Sequence, residues 1–83
     1  MRVPIDQVSD IGAYVRAVRK AQGLRQDDLA ALAGTSHVVL GNVERGKDTV
    51  QLGRVFELLR QLGIQVQLDL PVELPAPVAK HAE

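Results

Sequence analysis

Gln26-Asp27-Asp28-Leu29-Ala30-Ala31-Leu32-Ala33, then Gly34-Thr35-Ser36, then His37-Val38-Val39-Leu40-Gly41-Asn42-Val43 is the stretch on which the architecture turns. It reads as two short helices joined by a tight corner. Two helices crossing steeply need a small side chain where they touch, and Ala30 supplies it. The corner needs a residue tolerant of positive φ, and Gly34 supplies that. Leu40 and Val43 are three apart, so they share one face and pin the second helix to a core. The other face, with His37, Val38, Gly41 and Asn42, is left free to meet a DNA groove.

The surrounding composition bounds the reading. The chain has 83 residues, enough for one domain with one modest core. A domain of that size buries only about 60–65% of its unfolded surface, so a partner subunit adds useful burial. Apolar residues make up 46% of the chain, well above a disordered composition. Aromatics are only Tyr14 and Phe56, which argues against modules that stack single-stranded bases on aromatic platforms. Cysteine is absent, which removes disulfides, thiolate zinc sites and cysteine nucleophiles and fits a reducing cytoplasm. Pro4, Asp6, Gln7, Ser9 and Asp10 interrupt any apolar leader, and no apolar run approaches the ~20 residues of a membrane span. The expected setting is cytoplasmic, with no membrane partner.

Net charge is zero, but it is unevenly spread. Between residues 16 and 47, Arg16, Arg19, Lys20, Arg25, Arg45 and Lys47 face only Asp27, Asp28 and Glu44; six minus three leaves +3. A local basic face binds phosphates while the whole molecule stays neutral, although an ordinary solvated charge pattern gives the same count.

Residues 1–8 read as an extended lead-in, with Val3 and Ile5 tucked onto the core. Residues 9–63 read as the helical domain. Ser9 is the expected cap of a first helix running to about Gln22, with Ile11, Val15 and Val18 inward and Arg16, Arg19 and Lys20 off that stripe. Gly23 stops it and Leu24 drops into the core. Asp27 and Asp28 lie in the first turn of the next helix, where they complement its dipole. They point about 100° apart, which is wrong for a metal or acid–base pair. Ser36 is the expected cap of the third helix. Gln51 to Leu62 reads as a fourth helix with Leu52, Val55, Phe56, Leu59 and Leu62 inward, closed by Gly63.

At residues 64–70 the period changes to two. Ile64, Val66, Leu68 and Leu70 alternate with Gln65, Gln67 and Asp69, as in a strand with one apolar face. No second good strand is present, and a lone strand leaves its backbone groups unpaired. Pairing with the same strand of a second copy across a two-fold axis resolves this, making Ile64, Val66, Leu68 and Leu70 the expected dimer interface. Residues 71–83, with Pro71, Pro75 and Pro77, read as an extended tail in which His81 is solvent-exposed.

The expected DNA contacts follow from position. His37 and Val38 open the exposed helix, where side chains reach base edges; His37 donates or accepts, and Val38 offers a methyl surface to thymine. Val39 is open to both a buried and a groove-facing reading. Asn42 reaches a phosphate or an adenine edge. Gln26 sits at the N-terminus of the second helix, where its side chain and nearby backbone N–H groups hold phosphate; Thr35 and Ser36 are also expected at the DNA. Arg45 and Lys47 follow the exposed helix as backbone clamps, with Arg25 a weaker one. Catalysis has no footing: His37 and His81 are the only histidines, and no triad, metal-ligand or phosphate-loop pattern is present. No cofactor is expected.

Taken together, Arg25-Gln26-Asp27-Asp28-Leu29-Ala30, Ala33-Gly34-Thr35-Ser36 and Leu40-Gly41-Asn42-Val43-Glu44-Arg45-Gly46-Lys47 resemble the Cro/phage-repressor (XRE) helix-turn-helix. From about Ile11 to Leu70 the chain is similar to HipB-type antitoxins, in which one such domain is followed by Leu-Gly and a short strand, here Leu62-Gly63 and Ile64 to Leu68. The resemblance implies a mainly α, phage-repressor-like domain of four to five helices, with a C-terminal β-strand pairing across a homodimer. It implies repression of its own operon at a palindromic operator, and restraint of a HipA-like Ser/Thr kinase toxin. Carried over by position, Gln26 contacts phosphate or braces the recognition helix, His37 and Val38 read bases, Asn42 lies beside the DNA and Arg45 clamps phosphate. The chain departs from the family where Arg25 replaces a Ser or Thr cap, where Gly41 replaces a common Ser, and where Val38 and Val39 are less polar than usual. The alternatives are a stand-alone phage-type repressor and an interaction module without DNA binding.

Overall fold

Leu29, Leu40, Leu58 and Val15 are fully buried, and each comes from a different helix. The computed structural model describes residues 1–78 and Lys80. Its helices are α1 (Val8–Ala21), α2 (Gln26–Leu32), α3 (His37–Glu44) and α4 (Leu52–Leu62). Ala30, Val43, Val55, Leu59 and Leu62 complete the core, with Ile11, Val18, Leu24, Ala33, Val50 and Ile64 packed around it. None of these helices would be stable alone at such lengths, so burial of one face of each supplies their stability.

The corner between α2 and α3 is as the residues require. Gly34 has φ 67, and the Thr35 N–H donates to the Ala30 carbonyl at 2.9 Å. This bond and the Gly34 N–H to Ala31 carbonyl bond (3.2 Å) satisfy the end of α2 before the chain turns. Ser36 then caps α3, its Oγ accepting from the Val39 N–H at 3.2 Å. Gly63 closes α4 with φ 77.

A glycine outside the motif sets the approach of α1 to α3. Gly12 is buried, and a Cβ there would overlap the Val43 carbonyl oxygen. The helices therefore touch backbone to backbone at this point, and only hydrogen fits between them.

Several expectations need correction. α1 starts before Ser9: its cap is Gln7, and the Asp10 carboxylate accepts from the N–H groups of Asp6 (2.8 Å) and Gln7 (3.2 Å). A carboxylate holding two otherwise orphaned donors outcompetes a single serine hydroxyl at the helix start. Val3 and Ile5 stay exposed. On α4, Leu52 and Phe56 are exposed and Leu58 is fully buried, so the inward stripe is Val55, Leu58, Leu59 and Leu62. The apolar residues form one broad side of this helix, with Leu58 at one edge and Leu52 and Phe56 toward the other, and the position of its neighbours selects the Leu58 edge for burial. Arg19 is buried rather than outward.

Among the described residues no strand forms within the single chain. Ile64 packs on the core of its own chain, while Val66, Leu68 and Leu70 are exposed. His81 lies outside the described residues.

Candidate nucleic-acid interface

α3 is anchored from behind by Leu40 and Val43 and by an ionic network at its C-terminal end. Arg19 of α1 grips the Glu44 carboxylate with a two-pronged fork, Nε to Oε2 at 2.7 Å and Nη2 to Oε1 at 3.1 Å. The third nitrogen, Nη1, donates to the Leu24 carbonyl at 2.9 Å. Gln26 Nε2 donates to Glu44 Oε1 at 3.0 Å. The Arg19 and Glu44 side chains are only 8% and 3% exposed. Burial pushes the Glu44 carboxyl up, but the bonds from Arg19 and Gln26, with the charges of Arg19 and Arg16, outweigh it and hold the carboxyl below its ordinary value. The bond to Glu44 raises Arg19, against the opposing effect of its burial. Among the described residues no buried side-chain polar atom lacks a partner. One network thus ties α1, the α1–α2 connection, α2 and α3 together.

The Gln26 amide is thus bonded to the C-terminal end of α3, and the other expected sites lie around that helix. His37 and Val38 are exposed at its start, with Val38 57% accessible. Val39 is half-buried. His37 Nδ1 stands 3.9 Å from Asp27 Oδ1, beyond hydrogen-bond reach. Asn42 is half-buried, and its Oδ1 accepts from Arg45 Nη2 at 2.8 Å. Thr35 Oγ1 accepts from Arg54 Nη1 at 3.3 Å, and the Ser36 hydroxyl is occupied by its cap. Lys47 is exposed; its N–H donates to the Asn42 carbonyl at 2.9 Å. Arg25 is exposed and lies 3.5 Å from Asp28, a pairing worth little in water.

Two open clefts flank α3. One, about 330 Å³, is lined by Arg16, Gln26, Gly41, Glu44 and Arg45. The other, about 250 Å³, includes Asn42, Lys47, Thr49, Gln51 and Arg54. Cations therefore stand on both sides of α3, Arg16 and Arg45 in one cleft and Lys47 and Arg54 in the other, an arrangement that suits a groove with two phosphate walls. Arg25, at the start of α2, lines neither cleft.

Three residues of this arrangement escape a reading of local pattern. Arg19 carried a usable signal, because Gly12, Val15 and Arg19 are spaced 0, 3 and 7 and so lie on one helical stripe. Arg16 was visible only as one charge among several. Arg54 reaches Thr35 across 19 positions, and no local pattern encodes that contact. Among the described residues no group of three metal-ligating side chains gathers, and no helix is long and apolar enough to cross a membrane.

A buttressed corner whose second helix exposes its start between basic clefts defines a DNA-binding helix-turn-helix domain. The family model described as helix-turn-helix matches residues 15–68. The chain is 46% identical over 65 residues to the uncharacterized HTH-type transcriptional regulator y4mF of Sinorhizobium fredii, covering 78% of this chain and 86% of that protein. The chain belongs to the XRE-type helix-turn-helix family of DNA-binding transcriptional regulators.

Solved structures carry the same fold. The restriction-modification controller protein C.AhdI from Aeromonas hydrophila is 36% identical, with TM-score 0.63 over 70% of this chain and 88% of that one. HipB-like architecture is also matched: a chain of the HipA-HipB-O2-O3 complex superposes with TM-score 0.77 at 22% identity, over 86% of this chain and 100% of that one.

Proposed function

We propose that this regulator is a dimeric repressor of its own operon and the antitoxin of a HipA/HipB-like pair. Residues 9–63 carry DNA binding, residues 64–70 pair between subunits, and residues 71–83 form a tail. The observation that carries DNA recognition is the exposure of His37 and Val38 at the start of α3 while Leu40, Val43 and the Glu44 side chain are locked from behind; Gly41, expected on the free face, is buried under Arg45. Two such helices, set about 34 Å apart by two-fold symmetry, enter successive major grooves on one side of a palindromic operator. His37, Val38 and Asn42 face base edges. The Thr35–Ser36 corner lies at the backbone, and Arg25, Arg45 and Lys47 supply cations to phosphates. Repression is by occupancy, with no chemical step, in the cytoplasm.

Strand pairing is supported by the bare apolar alternation of Val66, Leu68 and Leu70, whose backbone has no ladder among the described residues. The antitoxin reading is supported by the fold match to HipB along the whole of that chain. A stand-alone controller is favoured by a different observation, the 36% identity to C.AhdI.

Two measurements test these readings. A gel shift on the DNA upstream of the gene, repeated at rising salt, should show binding that weakens steeply. Salt-independent or absent binding rejects the repressor. Co-purification of the tagged chain with the product of an adjacent kinase gene supports the antitoxin; a lone gene that still represses its own promoter favours the controller.

A further inference from the structure

Val38, Gly41 and Arg45 are spaced 0, 3 and 7 along the end of the chain's recognition helix, so they form one stripe. It lies on the outer side, opposite Leu40 and Val43. Yet Gly41 is buried. Its cover is Arg45: a Cβ on Gly41 would sit 3.0 Å from Arg45 Nη1 and 3.7 Å from Cζ, with no atoms of other residues among its nearest neighbours. The guanidinium has folded back along the helix into the space that a side chain at position 41 would take.

Asn42 holds it there, through the 2.8 Å bond from Arg45 Nη2 to Asn42 Oδ1. The orientation of that amide is chemically forced, because a guanidinium only donates and so must face the oxygen. Arg45 makes no other side-chain hydrogen bond among the described residues. Its remaining N–H groups therefore stay available on a planar fork that lies at the middle of the helix, though the residue itself comes after the last helical turn.

We propose that Arg45 is a specificity-determining residue that reads guanine, positioned by the missing side chain of Gly41 and by the Asn42 amide. The inference rests on the DNA-binding reading above, and within it moves Arg45 from the phosphates to a base edge. A fork held on the outward stripe of a recognition helix matches the paired acceptors O6 and N7 of guanine in the major groove. A phosphate clamp needs only a charge within reach. It needs neither an empty position 41 nor a fixed plane.

The test is selection from a randomised duplex library by the full-length chain, followed by titration of the selected duplex and of single-base variants. The wild type should enrich guanine at one position of each half-site. Changing that base to adenine, or to 7-deazaguanine, should cost roughly 5- to 150-fold in affinity. Arg45→Ala should erase this preference and leave the other positions unchanged. Gly41→Ala is the sharper variant. It retains Arg45 and all charge, and the atom that its Cβ displaces is the end of a flexible side chain, so the fold persists. It should nevertheless lose the guanine preference, as should Asn42→Ala. The proposal is overturned if Arg45→Ala weakens every duplex equally and lowers the salt slope by about one, the signature of a phosphate contact. It is also overturned if Gly41→Ala and Asn42→Ala keep the guanine preference. Enrichment of no sequence by a wild type that still binds duplex in a salt-dependent way rejects base reading alone. Absence of any duplex binding rejects the underlying repressor reading as well.

Discussion

Glu44→Gln should remove a large share of this protein's stability. The substitution keeps shape and volume but deletes the charge that the buried Arg19 guanidinium faces. The carboxylate accepts three bonds, two from Arg19 and one from Gln26. An amide has one oxygen, so its NH2 group must oppose a donor. At least one charge-assisted bond is lost, worth about 1.5–3 kcal/mol. The guanidinium, 8% exposed, is left without its counter-charge. Breaking one partner of a buried pair costs about 3–5 kcal/mol in total. A chain of 83 residues has a total stability of about 4–12 kcal/mol at typical values per residue. The variant should therefore melt about 12–40 °C lower, given about 4–8 °C per kcal/mol for a domain of this size. Urea unfolding followed by far-ultraviolet circular dichroism measures the loss directly. Protein concentration must match, because association adds stability. Acid supplies a second readout. Glu44 is lowered in the folded state, so its contribution is full above its ordinary value of 4.5 and disappears as pH falls through the folded value. Arg19 is raised, so its share persists through the acid and neutral range and adds no slope there. The variant should lose the wild-type decline attributable to this carboxyl below about pH 4.5. A loss under about 1 kcal/mol, or an unchanged acid limb, would refute the claim that this pair is desolvated and structural. Replacing both partners by leucine and methionine should recover much of the loss, because no uncompensated charge remains.

Gly12→Ala should destabilise by about 1–3 kcal/mol or more, because a Cβ forces α1 away from the Val43 carbonyl. An increase in melting temperature, as at a free helical glycine, would contradict that contact. Ser36→Ala should cost about 1 kcal/mol by uncapping α3, and amide exchange at Val39 should accelerate. Uniform exchange across α3 in both proteins would dismiss the cap. Val66→Asp should leave the single-chain fold intact, since Val66 is half-exposed there, yet dissociate a strand-paired dimer in sedimentation. A dimer of unchanged affinity would reject pairing through residues 64–70.

Much of the recognition unit was visible in local order. Asp27 and Asp28 at a helix start, Gly34 at the corner, Ser36 before His37 and Gly63 after Leu62 each act within about four residues of themselves, so their roles travel with the sequence. The paired helices, their polarity and the exposed start of α3 follow from these signals. The candidate site was legible as a list of positions but not as an arrangement. Gln26 suits both a phosphate and a brace by position, and its bond to Glu44, 18 positions away, is not visible in local order. Phe56 and Leu58 are both apolar on a helix rich in apolar residues, and only the lie of α4 against its neighbours turns Leu58 inward.

The sequence by itself determined where α2, α3 and α4 lie, which corner is tight, and that the segment after Gly63 alternates like a strand. These are short-range matters of backbone preference, capping and hydrogen-bond supply. Only the tertiary structure decided that Arg19 is buried against Glu44, that Gly12 lets two backbones touch, and that Arg45 lies over Gly41. The first two join residues 25 or more positions apart, where the cost of burying charge or closing a gap depends on neighbours that chain order does not specify. The third spans only four positions, but the fold decides which side of α3 is outward, and so makes that local contact a surface that DNA can meet.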